Sequence, residues 1–355
     1  MGSFDVAVAV SGGVDSLMAL CLLKDTGRRV LAVHGVFVPG HQGRLDGLRR
    51  ACHKLGVPLE IVDLRGEFAQ KVVEPFAAAY AAGATPNPCV MCNRDMKFGL
   101  LLDAAAGLGA ERLATGHYAR LDYFRCGAGE FLTLGRAADS GKDQAYFLGL
   151  VPPESLRRVE FPLSHCRKAD LREEVARRGL VVPEKRESQE ICFVPNDDYR
   201  AFLLDRGVAA AKPGPMLLPD GRQVGEHQGL WQYTEGQRRG LGVAHSEPLY
   251  VIGKDLLHNA LILGTKEHLY IKIWRAVDLN IHVPPELWPD EVRVRTRYRQ
   301  MPQPAAVQLR GNEAVIFFHT PHERPAPGQL AVIYDQHGIM LAAGVGGNAP
   351  DKWEA

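Results

Sequence analysis

The sequence is most easily bounded by what it lacks. No apolar run approaches the roughly 18 residues that would cross a membrane. The first strand-like run begins at Phe4, leaving no room ahead of it for a secretory or transit segment. Met1-Gly2 is not followed by Ser or Thr at position 6, so the myristoylation pattern fails as well. These absences lead to the expectation of a cytoplasmic protein. Excess charge of either sign is also missing: 42 Lys and Arg face 41 Asp and Glu, for a net charge of +1. A nucleic-acid partner would therefore have to be met by a local basic patch, not by a basic whole. The seven cysteines are an odd number in a chain without export signals, which argues against a disulfide framework and for reduced thiols, catalytic groups or metal ligands. No internal repeat or low-complexity tract is present. What remains is 355 residues, 46% of them apolar, enough for two or three domains with sizeable cores.

One stretch stands out, Ser11-Gly12-Gly13-Val14-Asp15-Ser16. Ahead of it runs Phe4 to Val10, an apolar, β-branched segment of the kind that fills a strand buried on both faces. Behind it Leu17, Met18, Ala19, Leu20, Leu22 and Leu23 form a helix signal that ends at Gly27, a suitable C′ residue. A strand, a double-glycine turn and a helix N-terminus make an anion site. The glycines let the backbone turn its N–H groups toward an oxyanion, and the helix dipole adds partial positive charge. The loop has no Lys and so is not a Walker A loop. Asp15 would be repelled by phosphate unless a divalent cation stood between them, which points to Mg²⁺. The plain alternative is a polar turn, but six specified residues in strand–turn–helix context weigh against it. The stretch resembles the pyrophosphate loop of the ATP pyrophosphatase superfamily. That resemblance implies cleavage of ATP between its α- and β-phosphates, with AMP passing to a carbonyl-type oxygen.

Residues 1–115 alternate strand and helix signals. Strands are predicted at 29–33 and 59–64, helices at about 43–55 and 67–82, and a further strand ending in Leu113-Ala114-Thr115-Gly116-His117. Such alternation predicts an α/β fold with a doubly wound parallel sheet whose ligands lie at the carboxyl ends of its strands. Both the Ser11–Ser16 loop and Gly116-His117 fall on that edge, although His117 also reads as an ordinary loop histidine. In Thr85-Pro86-Asn87-Pro88-Cys89-Val90-Met91-Cys92-Asn93 two prolines argue against helix, so an ordered excursion carrying two cysteines is expected. Residues 121–137 read as a hairpin and 168–179 as an amphipathic helix. Cys192 follows in Ile191-Cys192-Phe193.

Beyond residue 208 the composition shifts. Pro213-Gly214-Pro215 breaks the chain and Gly recurs through residue 242, suiting a small loop-rich module. From about 271, short β-rich runs separated by Pro, Gly and Asn predict a small antiparallel barrel or sandwich, with the barrel preferred. The expected domains are 1–208, 209–270 and 271–355. In Val292–Gln300 arginines occupy every second position, 293, 295, 297 and 299. A strand would put all four guanidiniums on one face, where an anionic backbone could relieve their repulsion. The alternative is a solvated face paired with carboxylates such as Glu291.

Cys89, Cys92 and Cys192 admit three readings: inert small hydrophobes, a reactive dithiol, or ligands of a metal centre. Cys21, Cys52, Cys126 and Cys166 belong to the inert or plain surface class. Together with the loop, the segments Thr85–Phe98, Gly116-His117-Tyr118, Lys142-Asp143-Gln144, Ile191-Cys192-Phe193, Gly225–Gly229, Gly236–Gly242 and Thr296–Gln300 resemble, in order and along nearly the whole chain, the tRNA-specific 2-thiouridylase family. The resemblance implies that ATP, held by Ala9, Val10, Ser11, Gly12, Gly13, Val14, Asp15 and Ser16 with Val33 and Gly116, adenylates O2 of the wobble uridine of a tRNA. It implies a persulfide on Cys192, received from a sulfur-relay protein, and Cys92 as the nucleophile or the reductant of that persulfide. It also implies tRNA contacts from His117, Lys142, Asp143, Gln144, Arg297 and Tyr298, with Tyr118 or Tyr146 free to stack on the extruded uridine.

The sequence departs from the family twice. The segment after the second strand, Gly35-Val36-Phe37-Val38-Pro39, is shortened and lacks the usual Met-Lys-x-Trp type, which leaves Val33 as the adenine contact. Cys89 stands where the family has Asp, so three thiols, Cys89, Cys92 and Cys192, become available, the number that would hold a [4Fe-4S] cluster by three irons. The competing route is a cluster-free persulfide with Cys89 a bystander; zinc lacks an obvious fourth ligand. Two other functions are rivals: an amide ligase acting on a small molecule, which leaves the cysteine segments without a task, and a non-catalytic tRNA- or nucleotide-binding module that docks a sulfur carrier.

Overall fold

In the computed structural model, residues 4–39, 42–180, 182, 191–207 and 212–347 are described. The N-terminal sheet has five parallel strands. Four are β1 (Val6–Ala9), β2 (Val30–Val36), β3 (Leu59–Asp63) and β4 (Leu113–Thr115). A hairpin of β5 (Arg120–Cys126) and β6 (Gly129–Gly135) follows, and β7 (Val159–Glu160) completes the sheet in the order β3-β2-β1-β4-β7. β1 is central, pairing with β2 and β4. Its period of two sends Ala7 into one core layer and Val6 and Val8 into the other, all fully buried. That is why its sequence is apolar without alternation.

The first helix, α1 (Val14–Asp25), buries Leu17, Met18, Ala19, Leu20, Cys21 and Leu23 against the sheet and the helix Lys168–Arg177. It stops where Gly27 takes φ +76°, as its C′ position predicts. α2 (Gln42–Leu55) also follows the sequence reading. The expected helix at 67–82 forms, but in three pieces: α over Arg65–Phe68, π over Ala69–Val73 and α over Glu74–Ala81.

The proline argument for residues 85–93 does not hold. Pro88 is the first residue of a helix, where a missing N–H costs nothing, and helical backbone continues through Pro88–Met91, a π-helical Cys92–Leu101 and Leu102–Gly107. Cys89 and Cys92 therefore sit on the opening turns of a helix, not in a loop.

The central segment carries a four-stranded sheet in the order Tyr250–Asp255, Ala260–Gly264, Gly214–Leu217, Gln223–His227. The C-terminal strands close a six-stranded barrel, as the β-rich composition predicted. Its arginine strand is shorter than expected. Only Val292–Arg295 pairs, and the chain leaves the ladder at Thr296, so the four arginines do not share one face. Arg293 is exposed, whereas Arg295 is buried at 7% exposure. The reason is a carboxylate partner in the N-terminal domain, described below.

Candidate active site

The loop at the carboxyl end of β1 is internally braced. Ser11 N–H donates to Ser16 Oγ at 3.1 Å, Ser16 Oγ–H donates to Gly13 O at 3.0 Å, and Gly12 takes φ +87°. Gly13 is the N-cap of α1 with no side chain to occupy the helix end, so the first N–H groups remain open to an anion. Gly116, after β4, presses against this loop. A Cβ there would lie 2.7 Å from Ser16 N and 2.8 Å from the carbonyl carbon of Asp15. Its glycine identity is therefore dictated by backbone approach, and it completes the wall of the cradle. Val33 faces inward with no exposure, and its carbonyl accepts the Val10 N–H at 2.9 Å. Val33 is thus part of the sheet core, and neither its side chain nor its backbone is exposed toward the loop.

The cation missing from the loop in sequence is supplied through space. Lys168 Nζ stands 2.6 and 2.5 Å from the two Asp15 oxygens, and Tyr118 Oη–H donates to Asp15 Oδ1 at 2.9 Å. Nothing in the local pattern marks Lys168, which lies 153 residues from Asp15 and merely opens an amphipathic helix. Lys168 thus already answers the Asp15 charge that pointed to a divalent cation in the sequence; Asp15 still stands as one carboxylate beside the cradle, the donor type Mg²⁺ takes together with the phosphates it accompanies.

His117 follows Gly116. Its Nδ1 is 2.8 Å from Thr115 Oγ1 and its Nε2 is 3.5 Å from Lys97 Nζ. Burial, with the Lys97 charge, holds its pKa well below the usual histidine value, so the ring is neutral. Lys97 belongs to the π-helical segment that begins at Cys92, and there the thiols gather. Cys92 is buried at 9% exposure, while Cys89 and Cys192 are exposed. Burial pushes the Cys92 thiol up to about 12, and Cys192 and Cys89 are near enough to add to the rise. All three cysteines thus share one neighbourhood. Among the described residues, however, no three His, Cys, Asp or Glu side chains stand as ligands of one ion. The donor chemistry suits an iron–sulfur cluster; the arrangement is not a formed ligand set.

The residues expected at the tRNA face divide sharply. Asp143 is 3% exposed; it accepts from Ala137 N–H at 3.1 Å and Ala145 N–H at 3.3 Å, and Arg295 Nη1 is 3.8 Å away. It faces the interior, not a ligand. Lys142, just before it, is only partly covered. Gln144 braces the next loop by accepting the Tyr118 N–H at 3.0 Å. Tyr298 stacks near Phe147 with ring centroids 4.5 Å apart, and the Arg295 guanidinium lies 5.4 Å from the Tyr146 ring and 5.5 Å from that of Tyr298. Arg297 pairs with Glu323 at 2.7 Å and lines a cavity of about 230 Å³ with Thr234, Glu235, Gly236, Ala326 and Gln329. Neither stacking candidate is available. The Tyr118 ring is 2% exposed, with its hydroxyl on Asp15, and Tyr146, with no exposure, shares its one hydroxyl proton between Leu330 O and Thr296 O.

A braced glycine loop opening a helix at the carboxyl edge of a parallel sheet defines a HUP-domain protein of the pyrophosphate-loop class. Residues 4–196 match the tRNA methyl transferase HUP domain family, residues 200–265 the corresponding PRC-barrel domain, and residues 272–345 the aminomethyltransferase β-barrel domain. The chain is 50% identical over 348 residues to the tRNA-specific 2-thiouridylase MnmA of Nitratidesulfovibrio vulgaris strain Miyazaki F, covering 96% of this chain and 98% of that one. It is 48% identical over 349 residues to the protein of the same name from Oleidesulfovibrio alaskensis, again with 96% and 98% covered. Identity to the Geobacter metallireducens protein is 41% over 355 residues, covering 96% and 95%. The chain belongs to the tRNA-specific 2-thiouridylase family.

Proposed function

We propose that the protein is a tRNA-uridine 2-sulfurtransferase that uses ATP to exchange the C2 oxygen of the wobble uridine for sulfur. The observation that carries this reading is a single edge of the fold: the phosphate cradle, Gly116-His117 and the Cys89–Cys92 helix all meet at the carboxyl ends of β1 and β4, in a member of this family that covers 98% of the length of the Miyazaki F relative. ATP would rest its phosphates on the N–H groups of the Ser11–Ser16 loop, with Mg²⁺, when bound, held by Asp15 and shielding phosphate charge. Uridine O2 attacks the α-phosphorus, pyrophosphate leaves, and the oxygen becomes part of AMP, a competent leaving group.

Sulfur then arrives as the terminal atom of a Cys192 persulfide. Attack of that atom on C2 expels AMP. Cys92 thiolate next attacks Cys192 Sγ, which releases 2-thiouridine and leaves a Cys92–Cys192 disulfide for an external thiol to reduce. The exposure of Cys192 suits loading by a donor protein, and the burial of Cys92 suits a step shielded from water. No step here needs the iron–sulfur cluster that three thiols would suit.

The test is pyrophosphate release and 2-thiouridine formation by the purified protein with ATP, tRNA and a persulfide donor. Release that depends on tRNA, with 2-thiouridine lost in Cys92→Ser and Cys192→Ser, is the expected result. Pyrophosphate release indifferent to tRNA would favour a small-molecule ligase, and absence of release would leave only a binding module. Brown, iron-containing protein from anaerobic preparation, bleached in Cys89→Ala, would replace the persulfide route with a cluster.

A further inference from the structure

The cysteine helix is reached through a short connector, residues 82–87, which joins the helix Glu74–Ala81 to the helix that Pro88 opens. Its first amides turn back on the preceding helix: Gly83 N–H donates to Tyr80 O and Ala84 N–H to Ala79 O, each at 2.9 Å. Pro86 has no N–H to give. The backbone groups left over need partners from elsewhere.

The other two domains supply them. From the central sheet, Lys254 Nζ donates to Gly83 O at 2.6 Å. Leu256 closes over the same residue, where a Cβ would lie 2.8 Å from Leu256 Cδ2. Thr85 Oγ1–H donates to Thr234 Oγ1 at 3.3 Å. From the barrel, Pro327 O accepts the Thr85 N–H at 2.8 Å, and Gln329 Nε2–H donates to Thr85 O at 2.8 Å. Between these two barrel residues Gly328 takes φ +86° and comes so near that a Cβ would stand 3.0 Å from Thr85 O. Thr85 is therefore held by its N–H, its carbonyl and its hydroxyl, from two domains at once.

The helix begins three residues beyond Thr85, with Cys89 as its second residue and Cys92 one turn further on. Fixing Thr85 fixes where that first turn starts. The phosphate cradle is braced by a different set, Ser11, Gly13, Ser16 and Gly116. The accessory domains thus hold the element that carries sulfur and leave the element that carries phosphate to itself.

We propose that Lys254 and Gln329 are positioning residues for sulfur transfer, gripping the 82–87 connector from the central domain and the barrel so that the cysteine helix is set against the nucleotide edge. This rests on Cys92 and Cys192 carrying sulfur in the reaction proposed above, which assigns neither residue a task.

The experiment reads pyrophosphate and 2-thiouridine from one assay of the full-length protein with ATP, tRNA and a persulfide donor. When sulfur arrives late, water attacks C2 of the adenylated uridine, AMP leaves and the uridine carbonyl returns, so pyrophosphate accumulates without 2-thiouridine. In Lys254→Met and in Gln329→Ala the yield of 2-thiouridine per pyrophosphate should fall about tenfold, since a misplacement of about 1 Å arising far from the chemistry can cost a hundredfold. KM for ATP should stay within about twofold of the parent, because the cradle is braced separately. Lys254→Arg, which keeps a donor for Gly83 O, should restore the yield. Amide exchange without ATP or tRNA gives a second readout: residues 83–92 should exchange about threefold to tenfold faster in the two uncoupled variants. Should Gln329→Ala fail to fold, Lys254→Met, in another domain, carries the same expectation. Equal losses of both products, an Arg variant as uncoupled as the Met one, or unchanged exchange overturns the proposal. A parent that makes no 2-thiouridine sinks the assigned reaction instead, and exchange alone then decides whether the two residues hold the connector.

Discussion

At the scale of single residues, the site is built as much by an absent side chain as by those present. Gly116 has no room for a Cβ, and what it would meet is backbone of the phosphate loop, not the movable end of a side chain. Gly116→Ala must therefore push the loop by several tenths of an ångström, a displacement that matters where reacting atoms need near-contact alignment. We expect the variant to lose about tenfold to a hundredfold in kcat/KM for ATP, read as tRNA-dependent pyrophosphate release. The cost to stability should be only about 1–3 kcal/mol, within the usual range for overpacking. ATP kinetics like those of the parent would mean that the loop yields without consequence and that Gly116 is a packing residue only. Lys168 makes the complementary point. The loop looks incomplete in sequence because its ammonium arrives from a remote helix to hold Asp15, so loop composition alone understates the charge at the site.

At the scale of elements, the decisive link is the one between the Lys142-Asp143-Gln144 turn and the end of the barrel strand Val292–Arg295. Asp143 and Arg295 are both nearly buried, and Asp143 Oδ2 has no hydrogen-bond partner, so burial pushes the carboxyl up despite the guanidinium 3.8 Å away. Removing one member of such a pair strands the other, at a typical cost of about 3–5 kcal/mol. We expect Asp143→Ala and Arg295→Met each to destabilise the protein by a few kcal/mol and the double variant by less than their sum, in urea unfolding. Affinity for tRNA should fall while KM for ATP holds, because the pair places Lys142 and Tyr298 and does not touch the phosphate loop; strictly additive losses would show that the two side chains do not communicate. The same elements show what a sequence discloses. β1, the glycine loop and α1 were legible because period, propensity and turn chemistry are local. The helix at Pro88 was misread because proline was counted as a breaker without asking whether it stood at the first helical position. The arginine ladder was misread because strand period says nothing of where a strand ends. Here it ends at Arg295, drawn inward by Asp143, and the turn that follows lays Tyr298 on Phe147. Contacts such as Gly116 on Ser16 or Lys168 on Asp15 leave no local trace at all.

At the scale of the whole molecule, the barrel is part of the catalytic domain's core and not an appendage. Leu330, Val332, Tyr334, Met340 and Ala343 share one buried cluster with Leu31, Val33, Met96 and Phe98. The seam is closed by His282 Nε2, 3.0 Å from Gly149 O, and by Asn280, which donates to Gly149 O at 2.8 Å and Val151 O at 2.9 Å. Within the barrel, His322 lies 2.9 Å from Thr296 Oγ1 and stacks on Phe318 at 3.9 Å. Burial lowers both histidines to about 4. Their unfolded value is about 6.5, so between those limits the unfolded chain holds protons that the folded chain refuses. Stability must then fall as pH drops from about 6.5 toward 4, by up to about 3 kcal/mol for each histidine at one pKa unit per 1.36 kcal/mol. Above pH 7 neither state binds these protons and the contribution is flat. Calorimetric melts at pH 8, 7, 6 and 5 should show a steady Tm over the first pair and a decline over the second. His282→Asn, which offers no titrating ring to the seam, should melt lower at pH 8 yet decline less steeply. A Tm that holds through pH 5, or an equal slope in the variant, would mean that acid reaches the fold through other groups and that the barrel seam does not register protons.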